Sequence, residues 1–330
     1  MALSPSSVAA VVALFACGGL AWFSAAGDAH LITATAAPVD AGARLSSAVP
    51  ARDARAAGHR LAWAPPKLRH PRVVRATAHR RVLTLSTRRD YIVRLPRAGL
   101  RGLRGLVIEG GHNVVLIGGR ITVPRPTRAY PHDDRLRRGL YLKGQTGTVH
   151  VEGLLIDGPG LWEGINLDER LGAIVQLENI RIEPIRADDE IGFTDNHPDL
   201  IQTWAGPAEL RVDRLTGATD YQAFMLAPRE YGTQAAPRRF VFRHVDVVAK
   251  SAHPCNCQML WAFGSFPLVV AGVWLRPHPH LTVPQSVVPK DGRWSAVHGG
   301  RPPGGSFVPR GVAGPRYRSP GYARQRAATA

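Results

Sequence analysis

The chain of 330 residues holds three cysteines, three methionines and 7% aromatics, and only four of its 42 basic residues are lysine. So few cysteines exclude a disulfide-dense scaffold. Cys17 lies near the N-terminus, and Cys255 and Cys257 form C-N-C. That spacing is too short for an unstrained bridge between the two, and a metal centre would need more ligands. The pair is read as free or strained thiols in a loop. A Gly-rich phosphate loop, a nucleophile elbow, a metalloprotease helix and an EF-hand pattern are all missing. Beyond the N-terminus no stretch approaches the ~20 apolar residues of a membrane span.

The one long apolar run is Val8 to Phe23, followed by small residues. Ala34-Thr35-Ala36 fits a small-x-small cleavage site, and Ser24-Ala25-Ala26 is a nearer alternative. No Lys or Arg precedes the run, and Leu14-Phe15-Ala16-Cys17 loosely resembles a lipoprotein box. A cleaved signal over residues 1–36, a retained anchor and a lipoprotein leader all predict a protein outside the cytoplasm.

The net charge of +17 is unevenly placed. Residues 38–138 hold 22 basic and 6 acidic residues, residues 139–284 hold 12 and 17, and residues 285–330 hold 8 and 1. A basic total first suggests nucleic acid, but here the body is acidic and the ends are basic. In an exported protein such ends suit anionic wall polymers or a membrane surface rather than nucleic acid.

Residues 37–80 are Ala-, Arg- and Pro-rich without period and read as a basic linker or cap. Residues 285–330, rich in Gly, Pro, Arg and Ser, have too few aliphatics to offset the entropy of ordering and predict a disordered tail.

Between these ends the chain repeats. Short runs at Leu106-Val107-Ile108, Leu140-Tyr141-Leu142, Ile165-Asn166-Leu167, Leu200-Ile201-Gln202, Phe224-Met225-Leu226 and Met259-Leu260-Trp261 are each followed by a longer alternating run, beginning at Val114, Val149, Ile174, Glu209, Phe240 and Leu268. Each unit is two strands with a bend, the bends falling at Gly118-Gly119, Gly153, Asn179 and His244. One unit has too little apolar surface for its own core, so units must stack and share an interior column. Sandwich strands would come in hairpins with tight turns, and leucine-rich repeats would need a helical half. The pattern over residues 81–284 resembles the right-handed parallel β-helix of pectin and pectate lyases and related carbohydrate-active proteins. It predicts an all-β solenoid of about six to seven coils.

Alternate strand residues point to opposite faces. Aligning Ile201 with Ile165 and Leu140 places Val107 and Glu109, Tyr141 and Lys143, Asn166 and Asp168, Gln202 and Trp204, and Met225 on one outer face. A one-residue slip of the fourth strand would bury Gln202 instead of Thr203. The chosen register makes a sugar-binding mixture: aromatics for pyranose faces, amides and charges for hydroxyls and carboxylates. Tyr141, Asn166, Gln202 and Trp204 are the candidate substrate contacts.

The least generic stretch is Asp195 to Trp204, D-N-H-P-D-L-I-Q-T-W. It follows the acidic run Asp188-Asp189-Glu190, in a segment, residues 151–200, with 12 carboxylates and 3 arginines. Oxygen ligands at that density suit Ca²⁺, with Asp195 and Asp199 as candidate ligands; the plainer reading is a solvated acidic loop. A polysaccharide lyase would need a base for the proton α to a uronate carboxylate, from Lys143, His197 or Arg170, with Asp168, Asp195 and Asp199 near a cation. A glycoside hydrolase would use Asp168, Asp195 and Asp199 as its carboxylates. In a structural role, His197 and Asp199 share the side of Ile201 and brace the turn through Pro198, while Gln202 and Trp204 meet the ligand. Lys143, Asp168, His197 and Asp199 are thus the candidate catalytic residues. The expected function is recognition, extending to cleavage if those groups converge, of an extracellular acidic polysaccharide. The rival is a non-catalytic wall-associated binding or structural module.

Overall fold

The structure, a computed structural model, describes residues 59–126, 136–186, 198–232, 234–250 and 257–321. The leader, the acidic run Asp188–Glu190, Asp195 and His197 lie outside the described residues.

The strands are β1 (Arg72–Arg75), β2 (Val82–Leu85), β3 (Tyr91–Arg94), β4 (Leu100–Arg101), β5 (Leu106–Gly110), β6 (Val114–Ile117), β7 (Arg120–Thr122), β8 (Arg138–Lys143), β9 (Thr148–Glu152), β10 (Leu155–Asp157), β11 (Glu163–Asp168), β12 (Ile174–Ile185), β13 (Asp199–Ala205), β14 (Glu209–Thr219), β15 (Gln222–Leu226), β16 (Arg239–Ala249), β17 (Leu260–Ala262), β18 (Leu268–Arg276), β19 (Val287–Val288) and β20 (Val297–Gly299). The one helical turn among the described residues is a 3₁₀ turn at Pro284–Ser286. Strands of one kind follow the order β2-β5-β8-β11-β13-β15-β17-β19, and those of the other β1-β3-β6-β9-β12-β14-β16-β18-β20, with β4, β7 and β10 joined through β12. All the ladders are parallel. This is the arrangement of a parallel β-helix solenoid. The short-strand sheet has eight rungs, two more than the repeats in the sequence, because β2 and β19 extend it at either end.

Six rungs of the second sheet bend at a residue in the left-handed region. Gly118, Gly153, Asn179, Arg214, His244 and Gly272 have φ of 64, 65, 56, 57, 50 and 63°. Glycine and asparagine are the usual tenants of that conformation, and here they fall at the breaks in the apolar alternation. Before the bend, Val149, Leu177, Val212 and Phe242 face inward; after it, Ile156, Ile182 and Val245 continue the core. The short strands close on this interior from the other side: Phe224 of β15 stacks on Phe242 of β16 with centroids 4.6 Å apart.

Both ends differ from the sequence reading. Residues 72–75 pair as β1 rather than forming an irregular linker, and His59–Trp63 lies on the outside of the long strands (below). The tail is folded through Gly321. Trp294 is buried against Phe242, and Val308 and Tyr317 are buried on the outer side of the long-strand sheet. Gly119 N donates to Gly314 O and Gly314 N to Gly153 O, at 3.0 and 2.8 Å. Composition judged the tail by the core it could build alone. It builds none and instead adds its few large side chains to a surface already present. Cys257, expected as a free or strained thiol, is disulfide-bonded.

A polar face on the short-strand sheet

Three successive short strands read R-G-L-Y-L-K, E-G-I-N-L-D and D-L-I-Q-T-W. Arg138 pairs with Glu163, Leu140 with Ile165 and then Ile201, and Tyr141 with Asn166 and then Gln202. The expected register holds as far as Leu167. There the ladder shifts, and Asp168 pairs with Ala205 instead of Trp204. The slipped residue, Trp204, lies against Tyr141 with centroids 5.7 Å apart and planes tilted by 56°.

Two consecutive positions face inward at the start of each strand. A Cβ on Gly139 would collide with Ile156, one on Gly164 would press Ile182, and Leu200 fills the space a side chain on Gly217 would need. The next residues, Leu140, Ile165 and Ile201, are core as well. Arg138, Glu163 and Asp199 therefore share the outer face with Tyr141, Asn166 and Gln202. This corrects the expectation that Asp199 takes the side of Ile201: simple alternation fails where the chain turns into the strand.

The outer residues are joined across rungs. Asn166 donates its Nδ2 hydrogens to Glu163 Oε2 and, at 3.2 Å, to Gln202 Oε1, while Gln202 Nε2 lies 3.1 Å from Met225 Sδ. Arg138 Nε sits 2.6 Å from Glu163 Oε2, an ion pair without hydrogen-bond angles. Its guanidinium also lies 5.6 Å from the Tyr141 ring and 5.3 Å from the Trp204 ring. Asn166 is buried and its Oδ1 has no hydrogen-bond partner among the described residues.

Asp199 is fully buried and neither carboxylate oxygen has a hydrogen-bond partner among the described residues. Burial, followed by the charge of Glu163, pushes its carboxyl well above the usual carboxylate range. Sealed from solvent, with its ionised form disfavoured by burial, it is not placed to be a base or a nucleophile towards a bound glycan.

The other end of the face differs. Asp168 pairs with Lys143 across the ladder and is gripped by Arg170 through two bonds of 2.7 and 2.8 Å. Arg170 also lies 5.7 Å from the Tyr231 ring. Burial, with the Asp168 charge second, pushes Tyr141 up to about 12. Lys143 is exposed and has no ion pair among the described residues. The neighbouring Glu169 is fully buried, accepts the Gln145 N–H at 2.8 Å, and is held well above the usual range chiefly by desolvation.

The face thus brings Tyr141, Asn166, Gln202 and Trp204 together and sets Lys143 opposite Asp168. Asp199 is not near those two. It shares the level of Glu163, five residues from Asp168 along the strand, about 16 Å at 3.3 Å per residue. Glu163, Arg138 and Glu169 were missed by sequence reasoning. The signal for the first two was the charged residue opening each of three aligned strands. No group of three or more His, Cys, Asp or Glu among the described residues is placed to hold a metal. Compared with family models, curated proteins and solved structures, the chain matches none. Among the described residues, no helix is long and apolar enough to cross a membrane.

Proposed function

We propose that this is an exported solenoid that binds an acidic polysaccharide along the outer face of its short-strand sheet. The observation that carries the reading is the line of aromatic and amide side chains over consecutive rungs: Tyr141 with Trp204 against it, then Asn166, Gln202 and Met225. Rungs stack about 4.8 Å apart, close to the length of one sugar residue, so an extended glycan meets a similar surface at each step. Indole and phenol rings take pyranose faces, and the half-buried Gln202, backed by the buried Asn166, takes hydroxyls. Lys143, exposed and without an ion pair among the described residues, is a cation for a uronate carboxylate, and Arg170 adds positive potential beside it. The basic ends add attraction to an anionic wall or membrane surface.

Binding without cleavage is the better supported form. Asp168 is neutralised by Arg170, and Asp199 is fully buried. A lyase-like elimination is the second reading, favoured by one observation: Lys143, without an ion pair among the described residues, stands exposed on the strand next to Tyr141 and across from the Asp168–Arg170 pair, an amine near a cation for the uronate carboxylate.

Calorimetric titration with uronate and neutral oligosaccharides of equal length tests the main reading. Uronate chains should bind and the Lys143→Ala variant should lose that preference; equal binding of both, or of neither, refutes it. Appearance of unsaturated product, with and without Ca²⁺, decides between binding and elimination.

A further inference from the structure

Before the bend, the outer side of the long strands carries carboxylates on three consecutive rungs. Glu152, Glu178 and Asp213 are successive cross-strand partners, and Arg243 follows. Like charges directly opposite each other destabilise a sheet, so each carboxylate needs its own partner. Glu152 accepts the Tyr317 hydroxyl at 3.2 Å and lies 3.8 Å from His150 Nε2. Asp213 contacts His244 Nδ1 at 2.6 Å. Glu178, in the middle, is met by the backbone of a segment more than a hundred residues away. Ala62 N donates to its Oε2 at 2.6 Å and Trp63 N to its Oε1 at 3.2 Å. Asn179 Nδ2 reaches His59 O at 3.2 Å, and the Trp63 ring lies 6.0 Å from the Arg243 guanidinium. The strap His59–Trp63 thus places two of its backbone amides on one carboxylate, while Leu61 lies beside Gly321 of the tail.

We propose that Glu178 is a pH-operated latch for this strap: His59–Trp63 lies on the long strands while Glu178 keeps its proton and lifts away when the carboxylate ionises. Under the strap the group is desolvated and has Asp213 beside it, which together outweigh the two amides and His150 and push it up to about 7. Released, it returns to water and towards the ordinary 4.5. The docked form therefore binds more protons. Docking is fullest below about pH 4.5 and is lost as pH rises through about 7.

The other groups facing Glu178 set the background. Glu152 and His150 lie on β9, Asp213 and Arg214 on β14, Arg243 on β16, and Tyr317 on the tail, its hydroxyl raised by burial and by Glu152. His59 on the strap itself is lowered from its ordinary value, chiefly by burial. Its protonation at acid pH opposes docking and makes a shallow slope of the opposite sign. Ionisation of Glu178 strengthens the two amide bonds but leaves an anion under cover between Glu152 and Asp213. Water offers that anion a better environment than the strap does.

Hydrogen exchange on the full chain, corrected for intrinsic rates, tests this at about pH 5.5 and about pH 8.5. Residues 59–66 should lose protection by at least about tenfold at the higher pH, while the Val151 and Leu177 amides of the core do not change. Glu178→Gln should abolish that loss and leave only the shallow opposite slope from His59. Equal protection at both pH values, the same slope in Glu178→Gln, or loss at Val151 and Leu177 in step with the strap would each overturn the latch.

Discussion

Asn166 and Gln202, on adjacent rungs of the short-strand sheet, are joined side chain to side chain, Nδ2 to Oε1 at 3.2 Å. The bond links two neighbouring units of the repeat on the outside of the solenoid, and a second Nδ2 bond ties the same amide to Glu163. Replacing Asn166 with Leu removes both donors and leaves Glu163 and Gln202 short of a partner. Such a loss costs about 1–3 kcal/mol. Urea denaturation should show a lower midpoint at unchanged slope, and an unshifted midpoint would refute a structural role for the ladder.

Asp199 should make stability depend on pH. Its native value is raised by burial and by Glu163, so the folded state binds more protons than the unfolded one. Its contribution is therefore complete below the ordinary carboxylate range and is lost as pH rises towards its native value. Asp199→Asn keeps the shape without the titration. The variant should match the wild type near pH 4 and exceed it by about 1 kcal/mol or more near pH 8. Calorimetric melting at the two pH values measures the difference.

Trp204 is half-buried against Tyr141 and Arg138 on the face that carries the proposed glycan. Trp204→Ala should weaken binding of uronate oligosaccharides about tenfold, or 1.4 kcal/mol. Trp204→Phe should recover most of it, because the ring face is the recognised group. Unchanged affinity in Trp204→Ala would move the binding surface elsewhere.

The tail should be part of the fold. Val308 N donates to Thr216 Oγ1 at 2.9 Å, Phe307 N to Asp246 Oδ1 at 2.9 Å, and the Tyr317 hydroxyl bonds Glu152. Truncation before Ser306 exposes these acceptors and strips Val308 and Tyr317 from the surface they cover. The melting temperature should fall by several degrees, for a loss of about 2–4 kcal/mol. Tyr317→Phe, which deletes one hydroxyl, should cost about 1 kcal/mol. A truncated chain as stable as the whole would return the tail to disorder.

Much of this architecture is legible in the sequence, and the reason is local. Gly153 and Asn179 mark bends because few other residues settle at positive φ, and Ile165 and Ile201 align because a slip would bury Gln202. The outer column Tyr141–Asn166–Gln202 followed from that register alone. Trp204 escaped it because a one-residue shift in the ladder after Leu167 leaves no mark in the composition of either strand. Asp199 escaped it because Leu200 and Ile201 both turn inward, which strict alternation forbids.

By itself, then, the sequence determined the repeat, the parallel pairing of its units, the bend positions and most of the register. All of these depend on neighbours within a unit and on the identity of the next unit. Burial of polar groups was decided only by the tertiary structure. The Asp199 carboxyl is raised by burial, Glu178 is pushed up to about 7 and Glu152 is covered. For the last two, desolvation depends on chain that arrives from far away. The strap reaches Glu178 across more than a hundred residues, and Tyr317 reaches Glu152 across 165. No periodicity within the repeat records which of its outer faces another part of the chain will shield from water.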